Sequence, residues 1–239
     1  MRNAVLVLLC SLLLLMSGVA RAENLAAGAA VERLMAILKS SEKVNTLQID
    51  FVCSKHLQVL KRPFISGGRL FIARPNLVRF STLWPYRSDW IVRNATVWSR
   101  AQGDKHWQQS STSQRPGLGR MMMELANWSL GRTRALKSEY RVSERHGKAA
   151  ALPAASEKGA RRAAATQPSG VLDLFTLTPR AKNERQVLSS LSLAFEPKTH
   201  RLYYIKISTA GGDITRYWFW RVEINVVLGR NIFAPLGTR

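Results

Sequence analysis

Between residues 47 and 51 the chain alternates strictly. Leu47, Ile49, Phe51 and Cys53 fall on one face of an extended strand, and Gln48 and Asp50 fall on the other. The same period recurs from residue 69 to 74, from 78 to 83 and from 90 to 100. Gly67-Gly68, Pro75 and Pro85 punctuate the first of these, and Asn94-Ala95 marks a turn inside the last. Four more strands are expected at 171–178, 187–195, 201–208 and 214–225, with Pro197 and Gly211-Gly212 at turns. In the last of them Ile214, Trp218, Trp220, Val222 and Ile224 are expected on one face, with Arg216 as the exception. Consecutive strands joined by short turns predict an antiparallel sheet.

Two segments carry a helical period instead. Residues 25–45 place Leu25, Val31, Leu34, Met35 and Leu38 on one stripe, leaving Glu32, Arg33, Lys39 and Lys43 for water. Residues 117–130 repeat the pattern with Leu118, Met121, Met122, Leu125 and Trp128, between Gly119 and Gly131. A helix ahead of a mainly antiparallel sheet predicts the α+β class, mainly β. Residues 147–170 are rich in Ala, Gly, Pro, Ser and charge, and are expected to form a flexible insertion.

The first 22 residues read as an export signal rather than as fold. Arg2 precedes an apolar run from Ala4 to Met16, and Ala20-Arg21-Ala22 is a small-x-small cleavage site, which sets the expected mature start at Glu23. Cys10 lies within the apolar run, away from the cut, so an unanchored periplasmic protein is expected, with residues 23–239 as one domain. Beyond the signal only Cys53 remains, which excludes an internal disulfide and reads as a small buried hydrophobe.

The formal charge is +21, of which the signal holds Arg2 and Arg21. Such a balance favours polyanions. Outside the inner membrane these are lipid phosphates and acidic glycans rather than nucleic acid. An Arg-rich composition without functional meaning stands equally beside that reading. Enzyme chemistry finds little support: there is no Gly-x-Ser-x-Gly or His-Glu-x-x-His, and His56, His106, His146 and His200 are scattered without metal spacing. No catalytic residue, metal or cofactor is nominated.

Five blocks, in order, resemble the lipoprotein carrier LolA family: Leu47 to Ser54; Gly68-Arg69-Leu70-Phe71-Ile72-Ala73-Arg74-Pro75 through Phe80; Asn94-Ala95-Thr96-Val97-Trp98; Phe175-Thr176-Leu177-Thr178-Pro179-Arg180; and Asn231 to Gly237. The third lacks the family's usual Asp-Gly, and the fifth has one of its prolines replaced. The resemblance implies a curved, half-open antiparallel sheet, an incomplete barrel, with helices closing its mouth. It implies a carrier without cofactor that takes an acylated protein from an inner-membrane exporter to an outer-membrane acceptor; a monomer is expected. It further implies that Arg74 bonds to the lid and holds the closed, empty form.

On the residues alone, Arg74 either faces inward with Leu70 and Ile72, where a guanidinium needs hydrogen-bond partners, or reaches water beside Pro75. The expected cavity and lid comprise Arg74, Phe51, Leu70, Ile72, Phe80, Trp90, Trp98, Met121, Met122, Leu125, Trp218 and Trp220. Ordinary core is the competing reading for each aromatic, and the methionines suit a lid or a core-facing helix equally. Two other roles stay open: a lipid-sensing adaptor of the same fold, and a carrier for a pigment or glycolipid conjugate.

Overall fold

A computed structural model describes residues 26–94, 96–111, 126–128, 130–131, 133, 136–148, 150–152 and 170–235. The signal segment, the two methionines Met121 and Met122, and Leu125 lie outside these residues.

The chain opens with helix α1, residues 26–39. It buries Ala30, Leu34, Ile37 and Leu38, the i, i+4, i+7, i+8 stripe of one helical face, while Val31 and Met35 sit half-buried at its margin. The helix ends earlier than the expected residue 45. Ser40 turns its hydroxyl back onto the Ile37 carbonyl at 2.6 Å, and residues 41–43 form a turn.

Eleven strands follow: β1 (Thr46–His56), β2 (Phe64–Ala73), β3 (Leu77–Trp84), β4 (Ser88–Arg93), β5 (Thr96–Ala101), β6 (Gln108–Ser111), β7 (Tyr140–Gly147), β8 (Leu172–Pro179), β9 (Leu188–Phe195), β10 (Leu202–Thr209) and β11 (Ile214–Ile224). They form one antiparallel sheet in the order β6-β5-β4-β3-β2-β1-β11-β10-β9-β8-β7, open at β6 and β7. The first strand therefore sits at the centre, bonded to the last. Two strands were not expected from the sequence, and they are the two edges. The expected insertion at 147–170 starts too early, since Gly147 ends β7 and pairs with Leu172.

Alternation gives the sheet an inner face, covered by α1, and an outer face. Leu47, Ile49, Phe51 and Cys53 of β1 join Leu70 and Ile72 of β2, Val78 of β3 and Val92 of β4 in one cluster with Leu34, Ile37 and Leu38 of α1. Phe51 stacks on Phe80 with ring centroids 4.5 Å apart, and Tyr217 meets both rings edge-on. Gly68 lets β2 and β3 approach here, because a Cβ at this position would stand 1.9 Å from the Ser81 carbonyl oxygen.

The outer face has its own small apolar clusters. Leu172, Leu174, Ala194, Tyr203, Tyr204 and Trp218 form one, and Val52 with Ile65, Trp84 and Trp220 forms another. Leu152 packs against both, and Trp218 Nε1 donates to the Ala150 carbonyl at 2.9 Å. Residues 150–152 are thus docked on the sheet, where the sequence suggested a free segment. Elsewhere on this face Arg79 spans Asp89 at 2.8 Å and the Ile232 carbonyl at 3.0 Å, which ties the C-terminal segment to β3.

One register irregularity redirects the last strand. Asp50 pairs with Arg221, but Phe51 pairs with Phe219, so β11 holds one extra residue at this point. An extra residue reverses the alternation beyond it. Tyr217 and Phe219 face inward on one side of the bulge, and Val222 faces inward on the other. Trp218 and Trp220 consequently point to the outer face, against the expectation that they share a face with Val222.

Candidate binding cavity

A cavity of about 330 Å³ lies between the C-terminal end of α1 and the inner face of the sheet. Its walls are apolar: Ile37 and Leu38 from α1, Leu47 and Ile49 from β1, Leu193 and Phe195 from β9, Phe219 and Val222 from β11, and Trp128. Its rim is polar and comes from two loops, Ser40 and Ser41 after α1, and Thr199, His200 and Arg201 between β9 and β10. Apolar walls with a few polar groups at one end match the make-up of small-molecule sites, which run to about 300–1,000 Å³.

Arg74 lies just past β2 at the same end of the sheet. Its Nε donates to the Val44 carbonyl at 2.9 Å, and its Nη2 donates to the carbonyls of Glu42 at 2.8 Å and Leu130 at 2.7 Å. Its own amide donates to the Asn45 carbonyl at 3.0 Å. The side chain thus binds carbonyls that no ladder or helix satisfies, one of them at the end of the helical turn 126–128. It joins three segments: the α1–β1 connection, the start of the β2–β3 turn, and the chain carrying Trp128.

The other nominated residues separate into groups. Phe51, Leu70, Ile72, Phe80 and Trp90 face inward but pack in the β1–β4 half of the core, beside the cavity rather than on its wall. Trp98 follows inward-facing Val97, so it faces outward, where its ring lies 5.0 Å beneath the Arg93 guanidinium. Trp218 and Trp220 face outward through the β11 bulge. The wall instead uses residues that sequence reasoning missed. Leu193 and Phe195 show the required alternation within β9, and Ile37 and Leu38 lie on the α1 stripe, so a signal was present for these four. Trp128 was marked as part of the expected 117–130 stripe but not as cavity wall, and the rim arrives from loops with no local mark.

Away from the cavity, α1 is fixed to the β7–β8 edge by charge. Arg33 reaches Glu144 Oε1 at 2.6 Å and Asp173 Oδ2 at 2.9 Å, while His146 Nδ1 lies 2.9 Å from the other Asp173 oxygen. Glu144, His146 and Asp173 hold ligand-type atoms within 4.8 Å of one another. The Arg33 guanidinium already bridges both carboxylates, which makes this an ion-pair anchor. Cys53 is buried, and burial pushes its thiol up to about 11 against the opposing influence of Lys55 and hydrogen bonds from Tyr217 and Ser66. The Tyr217 hydroxyl is raised well above 10 by the same burial.

A sheet closed on one face by a helix, with an apolar hollow between them, is an architecture suited to holding an apolar ligand. The chain belongs to the family described as outer membrane lipoprotein carrier protein LolA, whose model matches residues 42–166. No curated protein sequence matches it. Among solved structures it is similar to a LolA superfamily protein from Nitrosomonas europaea, at 9% identity over 86% of this chain and 97% of that one, with a TM-score of 0.40. It is similar to LprF from Mycobacterium bovis at 11% identity, over 83% and 97% of the two chains, with a TM-score of 0.41. MucB of Pseudomonas aeruginosa, in complex with MucA, is similar at 14% identity over 85% and 60%, with a TM-score of 0.38. No helix among the described residues is long and apolar enough to cross a membrane.

Proposed function

We propose that this protein is a periplasmic carrier that shelters the acyl chains of a lipoprotein or another lipidated product and passes them towards the outer membrane. The observation that carries the reading is the apolar cavity between α1 and the inner face of the sheet, with Arg74 bonded across the segments at its end. Membership of the LolA family gives it independent support. An acyl chain gains about 0.8 kcal/mol for each CH₂ that leaves water, so a long chain needs a container to cross an aqueous space.

Arg74 acts as the latch in this reading. Its guanidinium holds carbonyls from the α1–β1 connection and from Leu130. Entry of a chain beside Val44 and Trp128 separates those carbonyls, so occupied and empty forms differ by hydrogen bonds that can be counted. The mature protein begins at Glu23, works as a monomer without cofactor, and exchanges cargo with an inner-membrane exporter and an outer-membrane acceptor.

Native mass spectrometry of the protein taken from its own periplasm, followed by lipid extraction, tests this. Adducts that release acyl-containing molecules are expected. A preparation recovered uniformly empty, and unable to take up added lipid, would refute the proposal.

A further inference from the structure

We infer that the cavity takes an amphiphile with an anionic end group, a carboxylate or phosphate, held at the rim by Arg201. This rests on the carrier reading and specifies its cargo.

The rim is electrostatically one-sided. Among the described residues no aspartate or glutamate lines the cavity, whereas Arg201 and His200 both do. The Arg201 Nε is a buried donor with no hydrogen-bond partner. The nearest carboxylate oxygen, Glu196 Oε2, is 3.9 Å away and already accepts from the Thr199 hydroxyl at 2.6 Å. A buried guanidinium nitrogen without an acceptor is costly, and the rest of the Arg201 side chain is 38% exposed at the rim, so a turn of that side chain towards an anion in the cavity would give the nitrogen its acceptor.

The loop is shaped to keep this donor in place. His200 adopts φ 54, its amide donates to the Glu196 carbonyl at 2.9 Å, and the Glu196 amide donates to the Arg201 carbonyl at 3.0 Å. These bonds close the β9–β10 turn and set Arg201 at its exit. An opposing field is also relieved. The carbonyls after α1 would repel an anion, but Arg74 occupies those of Glu42 and Val44. Ser40 gives its proton to the Ile37 carbonyl, which leaves Arg201 as the directional charged donor at the rim. A hydroxyl end group would accept from Nε without adding a charge, while a carboxylate or phosphate makes the stronger charge-assisted bond and is positioned with its alkyl chain against Leu193, Phe195 and Phe219.

The test compares dodecanoate, dodecyl phosphate and dodecanol as ligands of the full chain, read by the fluorescence of Trp128 and its fellow tryptophans and by calorimetry. The parent is expected to bind the two anions about tenfold or more tightly than the alcohol, in keeping with a charge-assisted hydrogen bond. Arg201→Gln should lower anion affinity by about that factor and leave dodecanol binding unchanged, and the latter shows that the variant keeps its cavity. Arg201→Lys should restore part of the preference. The ratio between the two anions tells which end group the rim prefers. Equal binding of all three probes by the parent, or an anion preference that survives Arg201→Gln, overturns the inference and leaves the carrier reading standing. Failure of the parent to bind any of the three overturns both.

Discussion

Arg74 Nη2 lies 2.7 Å from the carbonyl oxygen of Leu130, which bonds the end of β2 to the segment that brings Trp128 into the cavity wall. Replacing Arg74 with Leu removes this bond and those to Glu42 and Val44 together. The sheet keeps its ladders, so the fold persists, with stability lower by about 2 kcal/mol. Faster amide exchange at Leu130 and Gly131 is expected, together with altered transfer of bound lipid. Exchange and transfer rates equal to those of the parent would dismiss the latch.

The Arg33 anchor is testable apart from the cavity. Asp173 is almost wholly buried and uses both oxygens, one on Arg33 and one on His146. Asp173→Asn keeps its shape but strips the charge, and should cost about 2 kcal/mol in urea unfolding. With Arg33→Gln added, the double variant should lose about 1 kcal/mol less than the two single losses combined, because the residues share one interaction. Additive losses would mean that Arg33 and Asp173 do not hold α1 as a pair.

Two glycines should respond in opposite directions. Gly28 lies in α1 with open space around the position of a Cβ, so Gly28→Ala should stabilise by about 0.5–1 kcal/mol. Gly68→Ala would drive a methyl group into the Ser81 carbonyl oxygen and towards Phe51 Cζ, at 1.9 and 2.9 Å. Neither neighbour can turn away cheaply, since one is backbone and the other is stacked on Phe80. A loss of about 3 kcal/mol or more is expected. Thermal melts of the two variants against the parent decide both.

The buried thiol gives a pH dependence with a definite sign. Cys53 ionises at about 11 in the fold against an ordinary 9.0, so the unfolded chain gives up its proton first. Between those values the native state binds more protons than the unfolded state, and stability falls as pH rises. The contribution is fully present below about pH 9 and gone above about pH 11, with a size on the order of 2 to 3 kcal/mol. Urea midpoints of the parent should drop across this window more steeply than those of Cys53→Ala. A thiol reagent at pH 8 should label the native protein only as fast as it unfolds.

How much could be read from the chain depended on how each residue is used. Strands in the middle of the sheet bury alternate side chains against α1, so Leu47, Ile49, Phe51, Leu70 and Ile72 announced themselves. The edges β6 and β7 escaped because an edge needs little apolar surface: Gln108–Ser111 is wholly polar, and β7 carries Arg141, Glu144, Arg145 and His146 among its eight residues. The bulge in β11 was equally silent. It is a property of the pairing with β1, and it moved Trp218 and Trp220 to the opposite face. Arg74 was legible through the family block around it, whereas its carbonyl partners sit 30, 32 and 56 residues away. Leu152 hid in a segment whose composition reads as unstructured, because a single docked side chain leaves no pattern.

The pairing of the first strand with the last sets an order on assembly. Asn45 and Asn225, which bond across this seam, are 180 residues apart, so the ladder at the heart of the sheet closes only when nearly the whole chain is present. A product stopped short of β11 cannot settle into a smaller version of the same structure. It would be left with the middle of its sheet bare, a long apolar strand bordered by open hydrogen-bonding groups, and such a fragment is a target for sticking to its own kind rather than a working half.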